Sequence, residues 1–76
     1  MDKEILLTRL GARIRELRIQ QGLTQVQLAH SIGKDQQSIQ KVEMGDFNPS
    51  YIYLFEIAGG LGITIDELLR FDHQGL

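Results

Sequence analysis

Apolar residues recur three or four positions apart along most of the chain. In the first segment, "EILLTRLGARIRELRIQQG", Ile5 or Leu6, Leu10, Ile14 and Leu17 form one stripe bordered by arginines. That spacing predicts a long amphipathic helix ended by Gly22, with Gly11 a slightly weak point inside it. "LTQVQLAHSIG" predicts a second, short helix. Thr24 and Gln27 form a capping-box start, Leu28, Ala29 and Ile32 supply the inner face, and Gly33 stops it. Asp35 is a fitting N-cap for a third helix running to Met44 and closed by Gly45. Asn48 and Pro49 make a turn, Ser50 caps, and residues 51–61 form a fourth helix. Thr64 with Glu67 opens a short fifth helix carrying Ile65, Leu68 and Leu69. No strand-type alternation and no internal repeat appears. The expected fold is all-α: one five-helix domain over residues 1–76, with a helix-turn-helix at about 24–44 and a tail at about 71–76.

The third helix divides sharply by chemistry. At about 100° per residue, Gln36, Gln40, Met44, Gln37 and Lys41 share an arc of about 140°, with Ile39 and Val42 opposite. The aliphatic side belongs in a core. The other side gathers amides, one ammonium and one thioether. A carboxamide both donates and accepts through one plane, which matches the adjacent donor and acceptor of adenine in the major groove. A lysine reaches guanine acceptors or phosphate. The bland alternative is a solvated polar face.

The second and third helices also meet four local demands at once. Ala29 is small where the helices cross, Gly33 suits the turn, and Ile39 and Val42 fill the angle between them. This coincidence is more specific than the glutamines alone.

Composition narrows the remaining options. Seventy-six residues support one modest core. With no cysteine, disulfides and thiolate metal sites are excluded, and the isolated His30 and His73 do not make a zinc site. Neither a cofactor nor a metal is expected. No apolar run approaches the roughly 20 residues of a membrane span, and nothing resembles a signal peptide, so a cytoplasmic protein is expected. No nucleophile–base set or phosphate loop is visible, so an enzyme is not expected. Net charge is −2, yet it is unevenly spread. Six basic residues (Arg9, Arg13, Arg15, Arg18, Lys34, Lys41) face only Glu16 and Asp35 in the first half, whereas residues 43–72 hold six acids against Arg70. One half suits a polyanion, and two ordinary solvated surfaces would give the same pattern.

The pieces "LR...GLTQ.QLA", "IG", "SIQKVE.G", "NPS" and "LGITIDELL" together resemble the phage-repressor/Cro-type helix-turn-helix domain, the xenobiotic-response-element family, over roughly Leu10 to Leu69. The resemblance implies a five-helix, lambda-repressor-like DNA-binding domain whose recognition helix spans residues 35–44. "QQSI" is similar to the glutamine-led recognition helices of lambdoid phage repressors. By that likeness Gln36, Gln37 and Lys41 are expected on base edges and Gln25 on a phosphate; the shared arc adds Gln40 to the base-reading set, and Thr24, Lys34, Ser38 and Tyr51 are further expected phosphate contacts. Gln25 also matches a position that braces the first reading glutamine. The same pattern pairs Arg18 with Glu43 as a partly buried structural ion pair, which the helical angles allow. Met44 departs from it, standing where many relatives carry a polar or basic phosphate contact, and Asp46 places an acid in a loop that would approach the sugar-phosphate chain.

The fourth helix is apolar almost all round. Leu54, Ile57, Ala58 and Leu61 suffice for a core, which leaves Ile52, Tyr53 and Phe55 in surplus. A homodimer through the fourth and fifth helices, with Ile52 and Phe55 at its interface, is therefore expected. The alternative arrangement has Phe55 under the fifth helix, Tyr53 over a seam and Ile52 simply exposed. The expected function is sequence-specific binding of a double-stranded DNA operator and transcriptional regulation, as a homodimeric repressor-type regulator. The competing expectation is a protein-interaction adaptor or antitoxin-like module with little direct DNA affinity.

Overall fold

Five helices account for the regular structure of residues 2–71, the part that the computed structural model describes. They are α1 (Lys3–Gln20), α2 (Gln25–Ser31), α3 (Gln36–Met44), α4 (Tyr51–Gly60) and α5 (Ile65–Leu68), and no strand occurs among the described residues. The expected tail residue His73 lies outside them, whereas Phe71 is half-buried against the core.

Each helix start is made by a side chain that accepts from otherwise unpaired backbone N–H groups. Asp2 Oδ1 caps α1 through the amides of Glu4 (2.9 Å) and Ile5 (3.3 Å). Thr24 and Gln27 exchange two bonds at α2, Asp35 Oδ1 takes the Ser38 amide at α3, and Ser50 Oγ takes the Tyr53 amide at α4. Thr64 and Glu67 repeat the reciprocal cap at α5. These polar residues fix where the apolar stripes begin, and hence which faces meet.

Leu10, Ile14 and Leu17 of α1 are buried with Leu28 and Ala29, Ile39 and Val42, Leu54, Ile57, Ala58 and Leu61, and Leu68. Every helix contributes to one core. In the first turn of α1, Leu6 is half-buried and Ile5 is exposed. Between α2 and α3 the chain reverses at Gly33, whose φ of +70° is one that a β-carbon resists. The Lys34 amide then reaches back to Ala29 O at 2.9 Å and closes the turn.

Gly11 has a role that helix propensity does not suggest. A β-carbon there would lie under 3.0 Å from the carbonyl oxygens of Val42 and Glu43. The weak point of α1 is thus the place where α3 crosses it, backbone against side of helix. This contact seats the end of α3 and with it the Arg18–Glu43 pair.

Candidate nucleic-acid interface

The site grows outward from a buried charge. Glu43, on the inner flank of α3, has a side chain only 2% exposed, and Arg18 of α1 meets it with two donors. Arg18 Nε donates to Glu43 Oε2 at 2.7 Å and Nη2 donates to Oε1 at 3.1 Å. The third guanidinium nitrogen, Nη1, donates to Leu23 O at 2.7 Å, immediately before α2. A bidentate pair of this kind is short and directional, and it ties α1, α3 and the entry to α2 together.

Glu43 also orders two amides. Gln25 Nε2 donates to Glu43 Oε1 at 3.0 Å. A carboxylate only accepts, so Gln25 must present its nitrogen inward and its oxygen outward. That oxygen accepts from Gln36 Nε2 at 2.7 Å. The sense of each bond therefore follows from the charge at the root of the chain. Gln36 spends one N–H on Gln25 and keeps another N–H and its carbonyl oxygen, the donor–acceptor couple that adenine's edge requires.

The remaining candidates are exposed or half-buried. Gln37, Gln40 and Lys41 are exposed, and Gln36 is half-buried where it leans on α2. Gln37, Ser38 and Lys41 line one cleft with Asp35 and Phe47. Thr24 is exposed at the start of α2 with its oxygen on the Gln27 amide, and Tyr51 is exposed at the start of α4. Thr24, Gln25, Ser38 and Tyr51 thus stand at or near helix starts, where backbone N–H groups favour anions.

Ser38 and Lys34 have further ties. The Ser38 hydroxyl is hydrogen-bonded to the Tyr53 hydroxyl. Lys34 Nζ sits 5.4 Å from the Tyr53 ring centre and 3.9 Å from Glu56 Oε1. Both attachments lead to α4, so the two residues link the turn and the start of α3 to the helix behind them. The Lys34–Glu56 pair is long and exposed, a geometry that contributes little and opens easily.

Tyr53, one of the surplus aromatics of the sequence pattern, is buried. Burial pushes its phenol above the ordinary value of 10.0, with the Ser38 hydrogen bond opposing and the Asp35 and Glu56 charges adding to the rise. Ile52 and Phe55 are open, at 67% and 59% exposure. Phe55 therefore does not pack under α5; it borders a cleft with Ala58, Gly59, Ile63 and Ile65.

Arg13 also has a definite place. Its Nη2 donates to Glu67 O at 2.9 Å, and its Nη1 lies 3.4 Å from Glu16 Oε1. It fastens α5 to α1 and does not stand free on the basic face. His30 and Arg15 are exposed. No group of three or more His, Cys, Asp or Glu among the described residues could hold a metal ion, and none of their helices is long and apolar enough to cross a membrane.

Sequence reasoning did not find three connections: the bond from Gln25 to Glu43, the Ser38–Tyr53 contact, and Phe47 beside Gln37. The first joins residues 18 apart across two helices. The last had a visible signal, a large apolar side chain in the loop just after the glycine that ends α3.

Comparison with known proteins agrees with this fold. A family model described as helix-turn-helix matches residues 14–68. The chain is similar to an uncharacterized HTH-type transcriptional regulator of Archaeoglobus fulgidus, 38% identical over 67 residues, covering 88% of this chain and 96% of that protein. It is also similar to the immunity repressor protein of Bacillus phage phi105, at 35% identity over 79% of this chain and 42% of the repressor. Among solved structures, it is similar to the restriction-modification controller protein C.AhdI from Aeromonas hydrophila, with a TM-score of 0.86 and 37% identity over 90% of this chain and 99% of that one.

Proposed function

The chain belongs to the helix-turn-helix family, and from that premise we propose that it is a regulator that reads an operator's major groove with α3. It is a DNA-binding transcription regulator, a class distinct from enzymes. The observation that carries the finer reading is the braced amide. Gln36 is held by Gln25, and Gln25 is held by a carboxylate buried against Arg18. A merely solvated face has no need of a preset amide.

In this reading α3 lies in the groove with Gln36, Gln37, Gln40 and Lys41 toward base edges. The glutamines favour A·T-containing half-sites, and Lys41 takes guanine acceptors or phosphate. Helix α2 lies across the backbone, where Thr24, Gln25, Lys34, Ser38 and Tyr51 meet phosphates. Lys34 exchanges its weak contact with Glu56 for a phosphate, and Ser38 accepts from Tyr53 while donating outward. The place of action is the cytoplasm, on DNA.

Two copies act together. The exposed side chains of Ile52 and Phe55 on α4 are the support for a symmetric homodimer through α4 and α5. Two recognition helices spaced by about 34 Å would combine two weak half-site contacts into one firm one.

Selection from random duplex oligonucleotides with the purified protein tests the reading. A recovered A·T-containing motif, bound with an affinity that falls steeply as salt is added, is the expected result. Failure to enrich any motif, with binding to another protein insensitive to salt, would replace it with the adaptor role.

A further inference from the structure

We propose that Phe47 is a specificity-determining residue that reads the 5-methyl group of a thymine beside the base contacted by Gln37. Phe47 follows the glycine that ends α3 and is 44% exposed. It is nevertheless held in place. Its ring meets that of Tyr53 in an edge arrangement, with centres 6.2 Å apart and planes at 69°. Tyr53 is buried and anchored to α3 by its hydroxyl on Ser38. The aromatic ring is therefore supported from α4 beside the flank of α3.

What it fixes is the wall of a cleft. Phe47 lines that cleft with Gln37 and Lys41, two of the side chains assigned to base edges, and with Asp35 and Ser38. The cleft is polar on the helix side and apolar on the Phe47 side. A duplex offers few apolar groups in its major groove, and the thymine methyl is the one that carries sequence information. The location agrees with the polar chemistry next to it. An amide that reads adenine selects an A·T pair, and every such pair carries a methyl group across from the adenine edge. Gln37 and Phe47 together would then read one A·T pair and the thymine methyl beside it, where Gln37 alone reads one edge.

This inference rests on α3 entering the major groove, and the test separates the two. The probe is the duplex recovered by selection, prepared with deoxyuridine replacing each thymine in turn, a change that removes only the methyl. Wild-type protein should bind one substituted duplex per half-site about fourfold more weakly, the loss matching burial of one methyl-sized group. Phe47→Ala should bind the thymine and uracil duplexes alike, while Phe47→Leu, which keeps an apolar side chain, should retain part of the difference. Gln37→Ala should keep the uracil penalty and lose adenine discrimination instead.

Several outcomes overturn the assignment. No uracil effect in the wild type does so, as does an unchanged penalty in both Phe47 variants. A penalty that disappears in Gln37→Ala would move the methyl contact to the glutamine methylenes. A uniform loss of affinity in Phe47→Ala with no uracil effect would place the ring on deoxyribose. In each of these cases a motif has been selected, so the groove-reading role of α3 stands. Failure to select any duplex would strike at that role itself.

Discussion

Gln25 accepts a 2.7 Å hydrogen bond from Gln36, and its own nitrogen is turned inward to Glu43. The Gln36 amide, proposed to read a base, is thus one end of a chain whose other end is the buried Arg18 guanidinium. Removing Gln36 with Gln36→Ala should cost about 1–3 kcal/mol of discrimination at one A·T position and leave the rest of the motif intact. Gln25→Ala should weaken discrimination at the same position, because it frees the amide to rotate. The two losses should be less than additive in the double variant, since both act on one contact. Titrations of the four proteins on operator variants give the coupling directly, and independent losses would exclude the brace.

The root of that chain sets stability. Glu43→Gln keeps the shape but leaves Arg18 buried beside a neutral amide, and should cost about 3–5 kcal/mol of folding free energy. It also removes the rule that forces Gln25 to point its nitrogen inward, because an amide at position 43 can donate or accept. Folding and discrimination should therefore decline together. Urea denaturation measures the first; an unchanged midpoint would take the pair out of the scheme.

Gly11 gives a prediction whose sign separates packing from propensity. In an exposed helix, glycine to alanine stabilises by about 1 kcal/mol. Here the added carbon meets the backbone carbonyls of Val42 and Glu43, neither the yielding end of a side chain. Gly11→Ala should destabilise by about 1–3 kcal/mol, and more if α3 cannot shift. Thermal denaturation decides the sign.

These residues also mark how far the sequence could be read. Local rules sufficed for the five helices, because caps such as Thr24–Gln27 and stops such as Gly33 act within a few residues of themselves. The core stripe of Leu10, Ile14 and Leu17 was legible from spacing for the same reason. Gly11 was not. Its significance comes from a helix that begins 25 positions later in the chain, and spacing along α1 carries no sign of it. Tyr53 escaped differently: its place in the apolar surplus of α4 gave no hint that its hydroxyl would find Ser38. The outer face of α3 was legible as a set of amides, but the order imposed on it by Glu43 belongs to tertiary structure.

Tyr53 makes stability depend on pH at the alkaline end. Its folded-state phenol is raised above the ordinary 10.0, chiefly by burial. The folded protein therefore holds this proton more tightly than the unfolded chain does. The associated stability is full below pH 10.0, and is lost as pH rises from there through the folded value. Wild-type stability should fall over that window more steeply than that of Tyr53→Phe, which has no proton to lose there. Denaturation midpoints measured from pH 8 to 11, roughly bracketing the phenol range, compare the slopes. Parallel slopes would place the alkaline sensitivity elsewhere.

The apolar face of α4 yields the last prediction. Ile52 and Phe55 stay exposed while Leu54, Ile57 and Ala58 fill the core, so substitution at the outer pair should spare the fold. Phe55→Asp and Ile52→Asp should each leave the helical content and melting of the isolated chain nearly unchanged. Both should also shift a sedimentation profile toward the 8.6 kDa species, because a charge repeated across a symmetric interface meets its own copy. DNA binding should weaken with it, more on paired half-sites than on a single one, if the proposed dimer tethers the second α3 to the first. If the wild type already sediments as the single chain at high concentration, the proposed homodimer through this face falls.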